Sequence, residues 1–277
     1  MKYFVTLDVG TTAVKAGVFT QALDAVTLVI REYELLTPAP DQVELEPETY
    51  WQNACAAVRA AVQQAGISPA DVLTITCTTQ GETLIPVNAQ GVPLHHAVVW
   101  LDGRAKAEAT WISGRVDKLD LYRTTGLPEV NGFTPLAKLL WFKNNLPDVY
   151  AGAHQFLLLE DYLVHRLSGQ FVSNPAVLCT TGYLDIQTDG LWREMLHLCG
   201  LDAAKIPAIR PSGTPVGPLT AFAAAALGLT TGTLVTTGAM DQVASAIGSG
   251  NIGGDIVTET TGTCQAIAAT VDKGVFP

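Results

Sequence analysis

The chain of 277 residues is 48% hydrophobic and 15% charged, and carries a formal net charge of −10. That length buries a large core, as one domain or as a domain with part of a second. An acidic balance without runs of like charge argues against a nucleic-acid partner, yet leaves room for a nucleotide held by local donors and a metal.

The opening "MKYFVTLD" begins an alternating strand and has neither the apolar stretch nor the cleavage site of a secretory signal. No apolar run reaches the ~18 residues of a membrane helix. These features predict a soluble, cytoplasmic protein without a membrane partner. Three consecutive strands are predicted at roughly 2–9, 13–20 and 25–35, turning at Gly10-Thr11 and near Gln21–Asp24. A helix follows from about Pro47 to Gln64, with Trp51, Ala54, Cys55, Val58, Ala61 and Val62 on one stripe and Gly66 beyond its end. A buried strand at 72–78, a hairpin over 83–94 around Asn88–Gly91, and a strand at 97–100 complete the first part. This β-β-β-α-β order is not doubly wound, because its first strands are too close for crossover helices.

From about 103 to 228 the pattern is mostly helical, at 103–113, 117–124, 134–145, 160–167, 191–199 and 218–227, interrupted by "QFLLL" at 155–159. The chain then returns to its opening style. A strand at 233–238 ends at glycine, a short helix covers 240–250, and 255–270 reads strand, Thr/Gly turn, strand. "TETTGTCQAIAAT" echoes "LDVGTTAVKAGVF", which suggests a duplicated fold whose second copy is just beginning. Cys55, Cys77, Cys179, Cys199 and Cys264 are scattered with no CxxC pair, so buried free thiols are expected rather than zinc or dithiol chemistry.

Several clusters could carry chemistry. In Asp8-Val9-Gly10-Thr11-Thr12, amides and hydroxyls could face phosphate oxygens, with Asp8 on Mg²⁺ through water and Lys15 reaching a phosphate. The plain alternative is an ordinary glycine turn. No GxxxxGK[ST] occurs, and "GSGNIG" at 248–253 follows a helix, the wrong context for a dinucleotide loop. Asp241 starts a helix, where it could simply complement the dipole or could take a proton from a substrate hydroxyl. Thr79, Gln80 and Glu82 follow a buried strand, and Trp100 and Asp102 flank another strand end. These residues suit hydroxyl binding, although an Asp102–Arg104 pair would be structural. His95 and His96 read as surface residues.

Taken in order, these stretches resemble the FGGY carbohydrate kinases of the actin/hexokinase/Hsp70 superfamily. "LDVGTTAVKAGVF" resembles the first phosphate hairpin, and "TTQGETLIPVNAQGVPLHHAVVWLDGRA" the sugar-binding stretch. "LEDYLVHRLSG" resembles an Asp-Tyr-Leu segment, "GAMDQVASAIGSG" the catalytic-Asp segment, and "TTGTCQAI" the second phosphate hairpin. The resemblance implies an α/β, RNase H-like (actin-like ATPase) domain with a mixed sheet, a largely helical insertion and a truncated second domain. It divides the chain into a sugar-binding and catalytic domain at 1–253 and the first hairpin of an ATP-binding domain at 254–277. It also implies ATP with Mg²⁺ and a sugar or polyol acceptor.

By the same resemblance, Asp241 is the general base and Asp8 serves Mg²⁺. Gly10, Thr11, Thr12, Lys15, Gly262 and Thr263 serve the phosphates, while Gln80, Glu82, Asp102 and Gln242 face the sugar. Gly81 stands where glycerol kinase carries an arginine, which argues against glycerol itself. Relatives in this family run to a second domain, so a chain of this length is expected to turn over negligibly, or to act only as a sugar-binding module. An apolar face left without that domain would favour a homodimer.

Overall fold

The computed structural model describes residues 1–261, 265–272 and 274. Its main sheet has six strands in the order β13-β14-β5-β1-β2-β3. These are β1 (Tyr3–Val9), β2 (Ala13–Thr20), β3 (Ala25–Glu32), β5 (Val72–Thr79), β13 (Pro215–Pro218) and β14 (Leu234–Met240). β1, β5 and β14 run parallel, while β2, β3 and β13 are antiparallel to their neighbours. The sheet is therefore mixed, as the resemblance implies.

Alternation fixes which way each strand faces. Val5, Leu7 and Val9 of β1, with Val14, Ala16 and Val18 of β2, are buried against helix α1 (Pro47–Ala65). Pro47 opens that helix and Gly66, at φ +63°, closes it in the left-handed conformation that glycine adopts without strain. Helices α6 (Leu159–Ser168) and α9 (Ala221–Leu227) add to the same core.

A second sheet of four short strands joins β4 (Glu44–Leu45), β7 (Ala97–Val98), β6 (Leu84–Val87) and β8 (Gln155–Leu158). Every residue of β6 and β8 is buried, because this sheet is a partition between two cores. Ile85, Val87 and Leu157 face the first core. Leu84, Phe156 and Leu158 face a second. Helices α2 (Lys106–Ser113), α3 (Lys118–Thr125), α4 (Pro135–Asn145), α5 (Pro147–Gly152), α7 (Pro175–Leu178) and α8 (Arg193–Leu198) surround that second core. Two small ladders tie the helical region together: β9 (Val172–Ser173) with β12 (Ala208–Ile209), and β10 (Leu184–Asp185) with β11 (Gly190–Leu191). Helix α10 (Asp241–Gly248) leads to the hairpin of β15 (Val257–Thr261) and β16 (Gln265–Ala269).

Three expectations need correction. The 83–94 hairpin keeps its turn, but the returning side is a single bridge from Val87 to Pro93. β6 pairs instead with β7 and β8. Strand β14 does not end at Gly238; it slips register between Thr236 and Ala239 and continues to Met240. His95 and His96 are half-buried: His96 bridges Glu44 and Glu46 at 2.9 and 3.2 Å, and His95 meets Phe142 edge-on. Cys55, Cys77, Cys179 and Cys199 are free thiols, and burial pushes all four above their ordinary range. Cys264 lies outside the described residues. Among the described residues no helix is long and apolar enough to cross a membrane.

Candidate active site

Parallel register builds the site. Val9 pairs with Thr79, and Thr79 with Met240, so three strands end at one level. The next residues of each chain segment, Gly10, Gln80 and Asp241, therefore emerge side by side beyond the carboxyl edge, where ligands gather in open sheets of this kind. They open on a cleft of about 530 Å³ lined by Asp8, Gly10, Thr11, Thr12, Lys15, Gln80, Glu82, Trp100, Asp241 and Gln242. Positions spread over more than 230 residues of sequence meet there.

Each side chain has a local cause. Asp8 and Lys15 face each other across the β1–β2 ladder and pair at 2.8 Å. The hydroxyl of Tyr33 donates to the Gly10 carbonyl, and the Tyr33 amide donates to Thr12 O at 2.9 Å, so the residue that follows β3 braces the turn. Trp100 Nε1 donates to Thr11 Oγ1 at 2.9 Å. Gln80, only 3% exposed, donates from Nε2 to the Tyr50 hydroxyl at 3.1 Å while its Oε1 has no partner among the described residues. Glu82 sits at φ +61°, a left-handed conformation that costs a non-glycine residue about 1–3 kcal/mol and recurs at functional sites. Burial pushes its carboxyl up, against the opposing pull of the Lys138 charge.

Asp241 opens α10 and accepts the amide hydrogen of Gln242 at 2.7 Å. Burial and the Asp8 charge raise its pKa, so the two carboxylates feel one another across the cleft. A Mg²⁺ ion needs only one or two protein carboxylates, with water filling the rest of its shell. Asp8 and Asp241 fit that requirement. Among the described residues no cluster of three or more metal-ligating side chains occurs.

Two residues expected to face a ligand do not line the cleft. Thr79 is buried, because the strand's alternation turns it away, and its hydroxyl donates to Gln80 O at 3.0 Å. Asp102 is fully buried and saturated: it accepts from Arg104 Nε and Nη2 at 2.8 and 2.6 Å and from the Val43 amide at 2.6 Å. The structural pair is the arrangement observed. Gly262 and Thr263 lie outside the described residues, whereas Thr260 and Thr261 reach the cleft from β15.

Residues that the sequence does not single out complete the site. Thr180, Met240 and Ser245 line the cleft, Thr180 hydrogen-bonds the Glu82 carboxyl, and Gln242 Oε1 is buried without a partner among the described residues. A Cβ on Gly81 would meet Met240 Sδ at 2.7 Å, so the methionine fills space that a side chain there would need. Lys138, fully buried on α4, donates to the carbonyls of Val99, Glu82 and Trp100 at 2.9, 3.2 and 3.5 Å. It thereby joins the two loops that carry Glu82 and Trp100. Burial pulls its pKa down to about 7. Glu160, at the start of α6, accepts at Oε1 from the Gly238 amide and from Asn174 Nδ2, both at 2.8 Å.

Solved structures superpose on nearly the whole chain. The ligand-bound xylulose kinase from Lactobacillus acidophilus matches with a TM-score of 0.89 at 26% identity, over 96% of this chain and 54% of that one. The gluconate kinase from the same organism matches with a TM-score of 0.89 at 27% identity, over 96% and 53%. Among curated proteins, the autoinducer-2 kinase of Escherichia coli is 28% identical over 253 residues, 90% of this chain and 47% of the relative. The fold is thus the actin-like ATPase fold of carbohydrate kinases, and the chain spans about half the length of the relatives it matches.

Residues 3–248 match the N-terminal domain of the FGGY family of carbohydrate kinases. The chain belongs to that family.

Proposed function

We propose that this chain supplies the acceptor-binding and base-bearing half of an ATP-dependent sugar or polyol kinase, with residues 1–253 as that half and 254–277 as the first hairpin of the nucleotide half. The observation that carries the reading is the shared register of β1, β5 and β14, which brings Asp8 and Asp241 to one cleft. Asp241 takes the proton of the acceptor hydroxyl as its oxygen attacks the γ-phosphorus and the bond to ADP breaks. A carboxylate whose pKa is raised is a stronger base for that step than an ordinary one.

Asp8 would hold a Mg²⁺ ion, which when bound would supply charge neutralisation to the phosphoryl group. Thr11, Thr12, Gly10 and Lys15 hold phosphate oxygens, and Gly262 and Thr263 are assigned the same role. Gln80, Glu82, Trp100, Gln242 and Thr180 hold the acceptor's hydroxyls. Thr79 and Asp102 support the walls rather than touch substrate.

A coupled ADP-release assay with a panel of sugars and polyols tests this, on the 277-residue chain and on the chain extended by a relative's second half. Negligible turnover is expected from the first and acceptor-dependent turnover from the second, because the cleft alone excludes no water. Robust turnover by the short chain overturns the division of labour. Silence of the extended protein on every acceptor overturns the kinase reading.

A further inference from the structure

A second hollow, of about 510 Å³, opens over the helical core between α2, α4 and α8. It shares no lining residue with the cleft described above, and its size suits a small molecule. Glu108 of α2 lines it and is only 8% exposed. Asn144 and Asn145 donate to this carboxylate from Nδ2 at 3.4 and 3.2 Å, both to the one oxygen Oε1. Among the described residues no lysine or arginine pairs with it. A carboxylate so far out of water ordinarily has a cation beside it.

Other groups of the hollow already hold cations. The guanidinium of Arg115 lies 4.1 Å from the ring centre of Trp111. Lys143, in the last turn of α4, donates its ammonium to the Gly200 carbonyl just past the end of α8. Lys143 is thereby turned to that carbonyl and not to Glu108, although both line the hollow. Leu140 and Leu198 add apolar surface. An anionic ligand would have Lys143 and His197 to meet, but it would bring like charge against the buried Glu108.

We propose that this hollow binds a small organic cation, a guanidinium or primary ammonium on a short apolar stem, with its charge on Glu108 and its stem against Leu140, Leu198 and Trp111. A guanidinium suits the site well, because its planar fork matches a carboxylate with two donors at once. The site is separate from the cleft, and the proposal does not depend on the kinase reading.

Calorimetric titration and thermal shift test it on the 277-residue chain at pH 7.5 and low salt. The probes are butylguanidinium and butylammonium, against butylurea, which has nearly the shape of the first and no charge. A cation should bind at least about tenfold more tightly than butylurea. Glu108→Gln keeps an acceptor for the two asparagines and should weaken the cation about tenfold. Leu198→Lys changes a position that is 41% exposed, so the fold should persist, while the added ammonium repels the ligand and weakens it similarly. If Glu108→Gln does not fold, Leu198→Lys decides alone. Butylurea binding as tightly as the cations overturns the proposal. Cation binding that survives the substitutions also overturns it, by placing the cation elsewhere on an acidic chain, and so does the absence of binding by every probe.

Discussion

The carboxyl group of Glu160 and the amide of Gly238 meet at 2.8 Å. Gly238 sits inside the register slip of β14, where its amide turns away from the ladder and needs another acceptor. Glu160 supplies one, and Asn174 fixes Glu160 from behind. The strand then resumes in register at Ala239 and delivers Asp241. A buried acid on a neighbouring helix thus sets the path of the segment that ends in the proposed base.

Removing that acid should be costly. Glu160→Ala leaves the Gly238 amide and the Asn174 side chain without their acceptor, and stability to urea should fall by about 2–4 kcal/mol. Glu160→Gln keeps a carbonyl oxygen at the same place and should cost less than about 1 kcal/mol at pH 6. Equal losses in both variants would remove the hydrogen bonds from the explanation.

The same acid sets a pH dependence. Burial raises the Glu160 carboxyl from an ordinary 4.5 to about 8, and Asp161 from 3.8 to about 7. Between those limits the folded chain holds protons that the unfolded chain has released. Stability therefore declines as pH rises from about 4.5 to about 8. Glu160→Gln should flatten the slope and be more stable than the parent at pH 8. Urea midpoints across pH 5–8.5 measure this, and a slope of the opposite sign would refute it.

Gly238 admits no side chain. Its Cβ would stand 1.8 Å from the Cys77 carbonyl oxygen, a backbone atom of the central strand that cannot swing aside. Gly238→Ala should lower stability by about 3 kcal/mol or more and should abolish ligand-induced stabilisation of the cleft. Retention of both would show that β14 can move off β5 at little cost.

Lys138 acts as a clamp under the acceptor loops. Lys138→Met fills the same volume but leaves the carbonyls of Glu82, Val99 and Trp100 without their donor. A loss of about 2 kcal/mol is expected, with weaker stabilisation by acceptor ligands. A variant as stable as the parent, with unchanged ligand response, would mean that the loops hold themselves.

In the extended enzyme, Asp241→Asn should lower turnover by about 10²-fold or more while the fold persists. A change within threefold would remove Asp241 from the base role.

Much of this was legible in residues alone, and the exceptions share a cause. The alternation of Val5, Leu7 and Val9 and the stripe of α1 fixed strands and helix closely, and short motifs pointed to Asp8, Gln80, Glu82 and Asp241. Thr79 was misassigned by one step of a period-two pattern, since the cleft begins at the next residue. Gly238 reads as a strand terminator in sequence, but here it is the residue that lets β14 press against Cys77 and go on. Lys138 and Glu160 gave no signal, because a lysine in mid-helix and an acid at a helix start are ordinary in sequence. Only tertiary packing reveals what their buried ends hold.

The hydrogen bond from Trp100 to Thr11 joins the acceptor wall to the phosphate turn through a single indole proton. Thr11 accepts that proton and keeps its own hydroxyl hydrogen to donate elsewhere. Under the proposed roles, occupancy on one side alters the setting of the other, and thermodynamic reciprocity makes the two affinities change by an equal factor. The indole is also a built-in fluorophore at that junction, so its emission offers a label-free reading of whether sugar and nucleotide sense each other.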